Sequence, residues 1–231
     1  MKINRMLKYF ISVISFLFMN ITLGNVILDN DTIEKFGVRL SVDLNKIIKS
    51  ATNDDYKGFS ISGDIRLKKS FYVYSEIGNE EKQINSEYLN SSVKGSYLKF
   101  GVNFKMNNDI RTQNLVYSGF NLGFSNFDQK INSYTIYNAN SSYWGESTIN
   151  QPINLSNLNA LWFEFVFGLK TEILNNLFLG FELQLKSVVK QKNIQNITNL
   201  YIPGFNRTYD SSGLGTGFSY TISYLIPIVK K

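Results

Sequence analysis

The chain has 231 residues, enough for one domain of barrel size, with neither a cysteine nor a histidine. That excludes disulfides, thiolate chemistry, cysteine-built metal sites, a lipidated cysteine and any Ser-His or Asp-His catalytic pair. The formal charge of +6 is not massed into a dense basic run, and no nucleic-acid motif or phosphate-binding glycine loop is present.

Lys2, Arg5 and Lys8 precede an apolar run from Tyr9 to Met19, and the small residues Thr22 and Gly24 follow. This is the three-part layout of a secretory signal. The run falls short of the roughly 20 residues that a membrane helix needs. Residues 1–24 are therefore expected to be a signal peptide removed on export through the Sec pathway. Residues 25–231 are expected to form the mature domain.

From Phe36 onward the chain alternates with a period of two, the signature of strands with different environments on their two faces. The first predicted strand, Phe36 to Leu44, sets Phe36, Val38, Leu40, Val42 and Leu44 against Gly37, Arg39, Ser41 and Asp43. The second, Phe59 to Leu67, sets Ile61 and Ile65 against Asp64 and Arg66. The third, Phe71 to Gly78, places Val73 and Ile77 opposite Tyr72, Tyr74 and Glu76. The fourth carries Leu98, Phe100, Val102 and Phe104 against Tyr97 and Lys99. The fifth carries Val116, Phe120, Leu122 and Phe124 against Tyr117 and Asn121. In the sixth, Leu161, Phe163, Phe165, Phe167 and Leu169 oppose Trp162, Glu164 and Lys170. In the seventh, Leu177, Leu179, Phe181, Leu183 and Leu185 oppose Phe178, Glu182 and Lys186. The eighth has Phe218, Tyr220, Ile222, Tyr224, Ile226 and Ile228 on one face.

No apolar face carries a charge, which is what lipid exposure demands, since a charge facing lipid at the midplane costs roughly 2–4 kcal/mol. The glycines Gly78, Gly101, Gly119, Gly123, Gly168 and Gly180 lie on the polar faces with bulky aromatics. On a solvated surface they would weaken the strands without gain, whereas inside a narrow barrel they make room for those rings. The expected fold is all-β, an antiparallel up-and-down transmembrane β-barrel of about eight strands. Ten remain possible, because Ser133 to Tyr137 either lengthens a hairpin or forms an extra strand. Short turns are expected at Lys68-Lys69-Ser70, Leu174-Asn175-Asn176 and, more loosely, Met106 to Gln113. Long polar loops are expected after the first, third, fifth and seventh strands, the plan of an outer-membrane barrel with both termini on the periplasmic side.

The segments Lys99-Phe100-Gly101-Val102, Leu161-Trp162-Phe163-Glu164, Gly168-Leu169-Lys170, Leu179-Gly180-Phe181 and Leu185-Lys186 join the loop Tyr201-Ile202-Pro203-Gly204-Phe205 and the ending Tyr220 to Tyr224. Together they resemble an uncharacterised outer-membrane β-barrel family of Bacteroidota, a domain of unknown function. The resemblance spans nearly the whole mature chain. It implies a barrel in the outer membrane of a Gram-negative cell and brings no activity or catalytic residue with it.

Two groups of residues are candidates for function. Arg39, Asp64, Arg66, Glu76, Lys99, Glu164, Lys170, Glu182 and Lys186 should converge in the lumen, either as a gated polar path or as a paired network that plugs and stiffens the barrel. Tyr201, Pro203, Gly204 and Phe205 should form a loop tip, with Pro then Gly suiting a type II turn. That tip either faces a ligand or rests on the barrel rim. Asp29-Asn30-Asp31 and Asp54-Asp55 lack the spacing of a calcium loop and read as solvated turns. No catalytic residue, metal or cofactor is expected. The expected partners are outer-membrane lipid and, during biogenesis, the barrel assembly machinery; a surface partner is not identifiable. The leading expectation is a non-enzymatic barrel with a structural or surface-interaction role. A small pore, and a soluble periplasmic lipocalin-like barrel, stay open as alternatives.

Overall fold

In a computed structural model, residues 36–68, 70–107, 112–136, 147–192, 199–206 and 212–229 are described. The expected signal segment and Asp29-Asn30-Asp31 lie outside these residues, as do Lys69, Tyr137 and the middle of the Met106 to Gln113 turn. The strands are β1 (Phe36–Asp43), β2 (Tyr56–Lys68), β3 (Phe71–Ser86), β4 (Leu89–Lys105), β5 (Leu115–Ile136), β6 (Ser147–Ile149), β7 (Ile153–Leu174), β8 (Leu177–Gln191) and β9 (Leu214–Val229). One helix among the described residues, α1 (Leu44–Thr52), follows β1. All pairings are antiparallel. The ring runs β1-β2-β3-β4-β5-β7-β8-β9 and closes where β9 pairs with β1, with Leu40 opposite Tyr224. Eight strands therefore form the wall, as the alternation implied. The tenth-strand alternative falls away: Tyr134–Ile136 prolongs β5 and pairs with the three-residue β6 above the ring.

Which way the faces point decides what kind of barrel this is. Ile77, Phe100 and Leu185 are 61%, 57% and 60% exposed, whereas Lys99 and Glu164 are 2% and 0% exposed. Charge is inside and apolar surface is outside, the reverse of a water-soluble barrel and the arrangement of a transmembrane one. The upper edge of the apolar belt is visible in the register. Asn79, Ser96, Asn126 and Asn159 pair in sequence across β3, β4, β5 and β7. One step higher, Lys57, Glu81, Lys94 and Asp128 pair in alternating sign across β2 to β5. The glycine argument holds in detail: a Cβ on Gly78 would enter the Tyr97 ring, one on Gly123 the Trp162 indole, and one on Gly168 the Tyr117 ring.

Two features depart from the sequence reading. The chain after the third predicted strand is not a long loop, and the one after the fifth is paired well above the belt, β5 with β7 out to Ile131 and Ile153. β3 and β4 continue as a paired ribbon to Ser86 and Leu89, so only Glu87 and Tyr88 turn. Above the belt both faces of a ribbon meet water, so the sequence there loses its alternation while the backbone pairing persists. Second, Leu44 does not extend β1. Asp43 caps α1 by accepting a hydrogen bond from the Asn45 backbone N–H at 2.9 Å. Leu44, Ile47, Ile48 and Ala51 then share one helical stripe, with Lys46, Lys49 and Ser50 on the other. Ile47 and Ile48 are exposed, while Lys46 reaches the buried Glu76 and Glu80. The helix is therefore inside-out in the same sense as the strands.

Candidate functional site

The nine predicted lumen charges are all buried. Alternation alone puts them there, because each is an even number of residues from its neighbours on the inward face of its strand. They do not form one cluster.

The cluster nearest the short turns centres on Asp64. The Lys170 ammonium lies 2.5 Å from its Oδ2, and Arg39 Nη1 lies 3.6 Å from its Oδ1. The Arg39 guanidinium stands 4.6 Å from the Phe178 ring centroid and 6.0 Å from that of Tyr72, a cation–π environment that offsets part of its desolvation. Arg66 lies over the other approach to Tyr72, at 5.8 Å, and its Nε donates to the Lys68 carbonyl. Tyr72, Leu115, Tyr117 and Val166 pack as a small apolar core beside these charges.

Glu182 stands apart from both clusters. Its carboxylate accepts hydrogen bonds from Tyr117 Oη at 2.8 Å and Gln184 Nε2 at 2.7 Å, and no ion pair to it is present among the described residues.

The outer cluster is larger. Lys99 bridges Glu76 (3.3 Å) and Glu164 (3.1 Å), and Lys186 lies 3.6 Å from Glu164. The Trp162 indole N–H donates to Glu164 at 2.7 Å. Tyr74 and Tyr97 hydroxyls donate to Glu76 at 2.8 and 2.6 Å. Two members of this cluster escaped the sequence reading. Glu80, 1% exposed, continues the inward face of β3 two residues beyond Gly78. Lys46 comes from α1 and binds Glu76 at 3.5 Å, Glu80 at 3.0 Å and the Tyr97 hydroxyl. Burial alone would lower the Lys46 pKa, but Glu80, Glu76 and Asp43 outweigh it and hold the ammonium above the ordinary lysine value. Continuing the period of two past Gly78 would have found Glu80; the switch from period two to helical spacing at Asp43 would have found Lys46.

The Tyr201–Phe205 loop is neither an outward tip nor a cover on the rim. Tyr201, Ile202, Pro203, Gly204 and Phe205 are all buried inside the barrel. The predicted type II turn is present: the Phe205 N–H donates to the Ile202 carbonyl at 3.0 Å, and Gly204 has φ +80°. A side chain on Gly204 would also strike the Tyr97 ring. The turn is moored to the outer cluster on both sides. Glu80 accepts from the Tyr201 hydroxyl at 2.6 Å and from the Gly204 N–H at 3.0 Å, while Lys186 donates to the Gly204 carbonyl at 2.8 Å. Burial, and then the Glu80 carboxylate, push the Tyr201 hydroxyl well above the usual tyrosine range. Phe205 meets Trp162 edge to face at 5.9 Å. A sequence shows the turn but not its direction, because loop residues carry no periodicity that says inward or outward.

A family model described as a domain of unknown function, DUF6048, matches residues 6–231. The chain belongs to the DUF6048 family. No curated protein matches its sequence. Among solved structures it is similar to Ail, the attachment invasion locus protein of Yersinia pestis, with a TM-score of 0.42 and 9% sequence identity over 83% of this chain and 98% of that one.

Proposed function

We propose that this DUF6048 chain is a non-enzymatic, non-conducting barrel of a Gram-negative outer membrane, exported by the Sec pathway and inserted by the barrel assembly machinery. The barrel anchors water-exposed ribbons for contacts at the cell surface. The observation that carries this reading is the filled lumen. From Arg39 to Phe205 the interior is occupied by buried rings, two charge clusters and an inserted turn.

Paired charges at such depth stiffen rather than react. Each lysine of the outer cluster is already within ion-pair distance of a carboxylate, so none is free to act on a substrate. The apolar exterior supports outer-membrane lipid as the surrounding partner, and the absence of a massed basic surface speaks against nucleic acid. Planar-bilayer recording of the refolded mature chain tests the reading: no stepwise conductance is expected, and a steady ion current through the wild-type barrel would replace it with the pore.

A further inference from the structure

The barrel wall is not strand-paired over its whole height. β1 ends at Asp43, opposite Thr221, while β9 begins at Leu214. The stretch Leu214–Tyr220 therefore has β8 on one side and α1, not a strand, on the other. The helix is fastened unevenly. On the β2 side, Ser50 Oγ accepts from the Gly58 N–H at 2.7 Å and donates to the Gly58 carbonyl at 3.1 Å. Toward β9, the one hydrogen bond among the described residues runs from Asn45 Nδ2 to the Phe218 carbonyl at 3.3 Å.

A cavity of about 440 Å³ lies along this weaker seam. Its inner wall holds three acids, Asp43, Glu76 and Glu80, against Lys46, Lys99 and Lys186, with Lys49 in excess, and its outer rim includes Leu183 and Phe218, which belong to the apolar belt. A second cavity, of about 590 Å³, is bordered by Lys82, Gln83 and Asn85 and shares Lys49, Asn206 and Thr216 with the first. Lys49 and Lys82 form no ion pair among the described residues; Lys49 lies 4.3 Å from the Tyr56 ring centroid. The one acid bordering the second cavity, Asp55, accepts a hydrogen bond from Asn85 at 3.0 Å. Surplus positive charge and amide donors thus adjoin a gap whose far edge faces lipid.

We propose that the seam between α1 and β9 is a lateral portal, through which an anionic lipid of the surrounding leaflet seats its headgroup against Lys49 and Lys82 while its acyl chain lies along Leu183 and Phe218. The inference rests on the membrane reading above. An anionic headgroup is preferred because each lysine near it adds attraction. A lipid is preferred to a soluble anion because the cavity's rim is continuous with the apolar belt.

The test uses the mature chain refolded in detergent micelles, with native mass spectrometry reading retention of dioleoylphosphatidylglycerol, dioleoylphosphatidylcholine or inorganic phosphate. Phosphatidylglycerol should be retained about tenfold more tightly than phosphatidylcholine, and Lys49→Ala with Lys82→Ala should remove that preference while Lys→Arg at both positions keeps it. Because the chain has no native cysteine, Asn45→Cys with Phe218→Cys can be joined by a short thiol crosslinker to hold the seam shut. Crosslinking should abolish the lipid retention that the same double-cysteine variant shows before the crosslinker is added. Equal retention of the two lipids, or retention unchanged by the lysine variants or by crosslinking, would overturn the proposal. Binding of inorganic phosphate as tight as that of the lipid would overturn lateral entry in favour of a soluble anion. A band that shifts on boiling, present for every variant, separates these failures from failure of the barrel reading itself; its absence from the wild type would overturn both.

Discussion

The two ends of the lumen are sealed in different ways. Near the short turns the seal is built from wall residues alone: Arg39, Asp64, Lys170, Tyr72 and Tyr117 all come from strands of the ring. At the outer end the wall charges Glu76, Lys99, Glu164 and Lys186 are completed by pieces that are not wall at all, Lys46 from α1 and the Tyr201–Phe205 turn. The first seal cannot be removed without dismantling the barrel. The second is an insertion and can be separated from it. The redundancy also differs. Asp64 is the one carboxylate within ion-pair distance of both Arg39 and Lys170 among the described residues, whereas Lys46 has both Glu76 and Glu80.

The largest expected effect is at the first seal. Asp64→Leu leaves two buried cations without their carboxylate and should cost about 3–5 kcal/mol. In urea titrations of the refolded protein it should show little or no folded barrel, and a near-wild-type midpoint would break the contrast. Phe165→Arg acts on the wall's other face, at a cost of roughly 2–4 kcal/mol where the charge meets lipid. It should prevent insertion into vesicles, and normal assembly would sink the assignment of faces. Replacing Leu200–Asn206 with a Gly-Ser linker should be milder for folding, because every strand pairing of the ring survives. That variant should keep its heat-shifted band and stay silent in planar bilayers, because the seal near the short turns remains, while Trp162, which loses Phe205, becomes quenchable by aqueous acrylamide in a Trp144→Phe background; an unquenched Trp162 in the folded variant would show that the wall side chains seal the outer end unaided. Glu80→Gln is the mildest. Lys46 keeps Glu76 and the turn loses only charge-assisted hydrogen bonds, for about 1.5–3 kcal/mol. Protection of the Gly204 amide in hydrogen exchange should fall while that of the β5 and β7 amides stays.

The same contrast governs what the sequence reveals. Wall residues obey a strict period of two, so all nine lumen charges are legible from alternation, and the glycines that share their face with bulky rings give that face its inward direction. Inserted pieces obey no shared period with the wall. Leu44 fits the alternation of β1 for one step more, which hides the helix start at Asp43. Glu80 was missed because the polar residues beyond Gly78 look like loop once the outer face also turns hydrophilic. The Pro203-Gly204 turn is legible as a turn, yet its inward course depends on Glu80 and Lys186, which come from other strands. Tertiary partners fixed what local pattern left open.

The ring's closing pair has a consequence for how the protein comes into being. β1 is the first strand of the described chain and, at eight residues, far shorter than the 22-residue β5 and β7; its partner β9 is the last. Closure therefore joins residues nearly two hundred positions apart, the widest sequence separation of any strand pairing in the ring. Until the last strand has paired with the first, Arg39 and its neighbours have no enclosed interior to occupy. Such a delay would serve the export proposed above, in which the chain crosses one membrane unfolded before it settles in another.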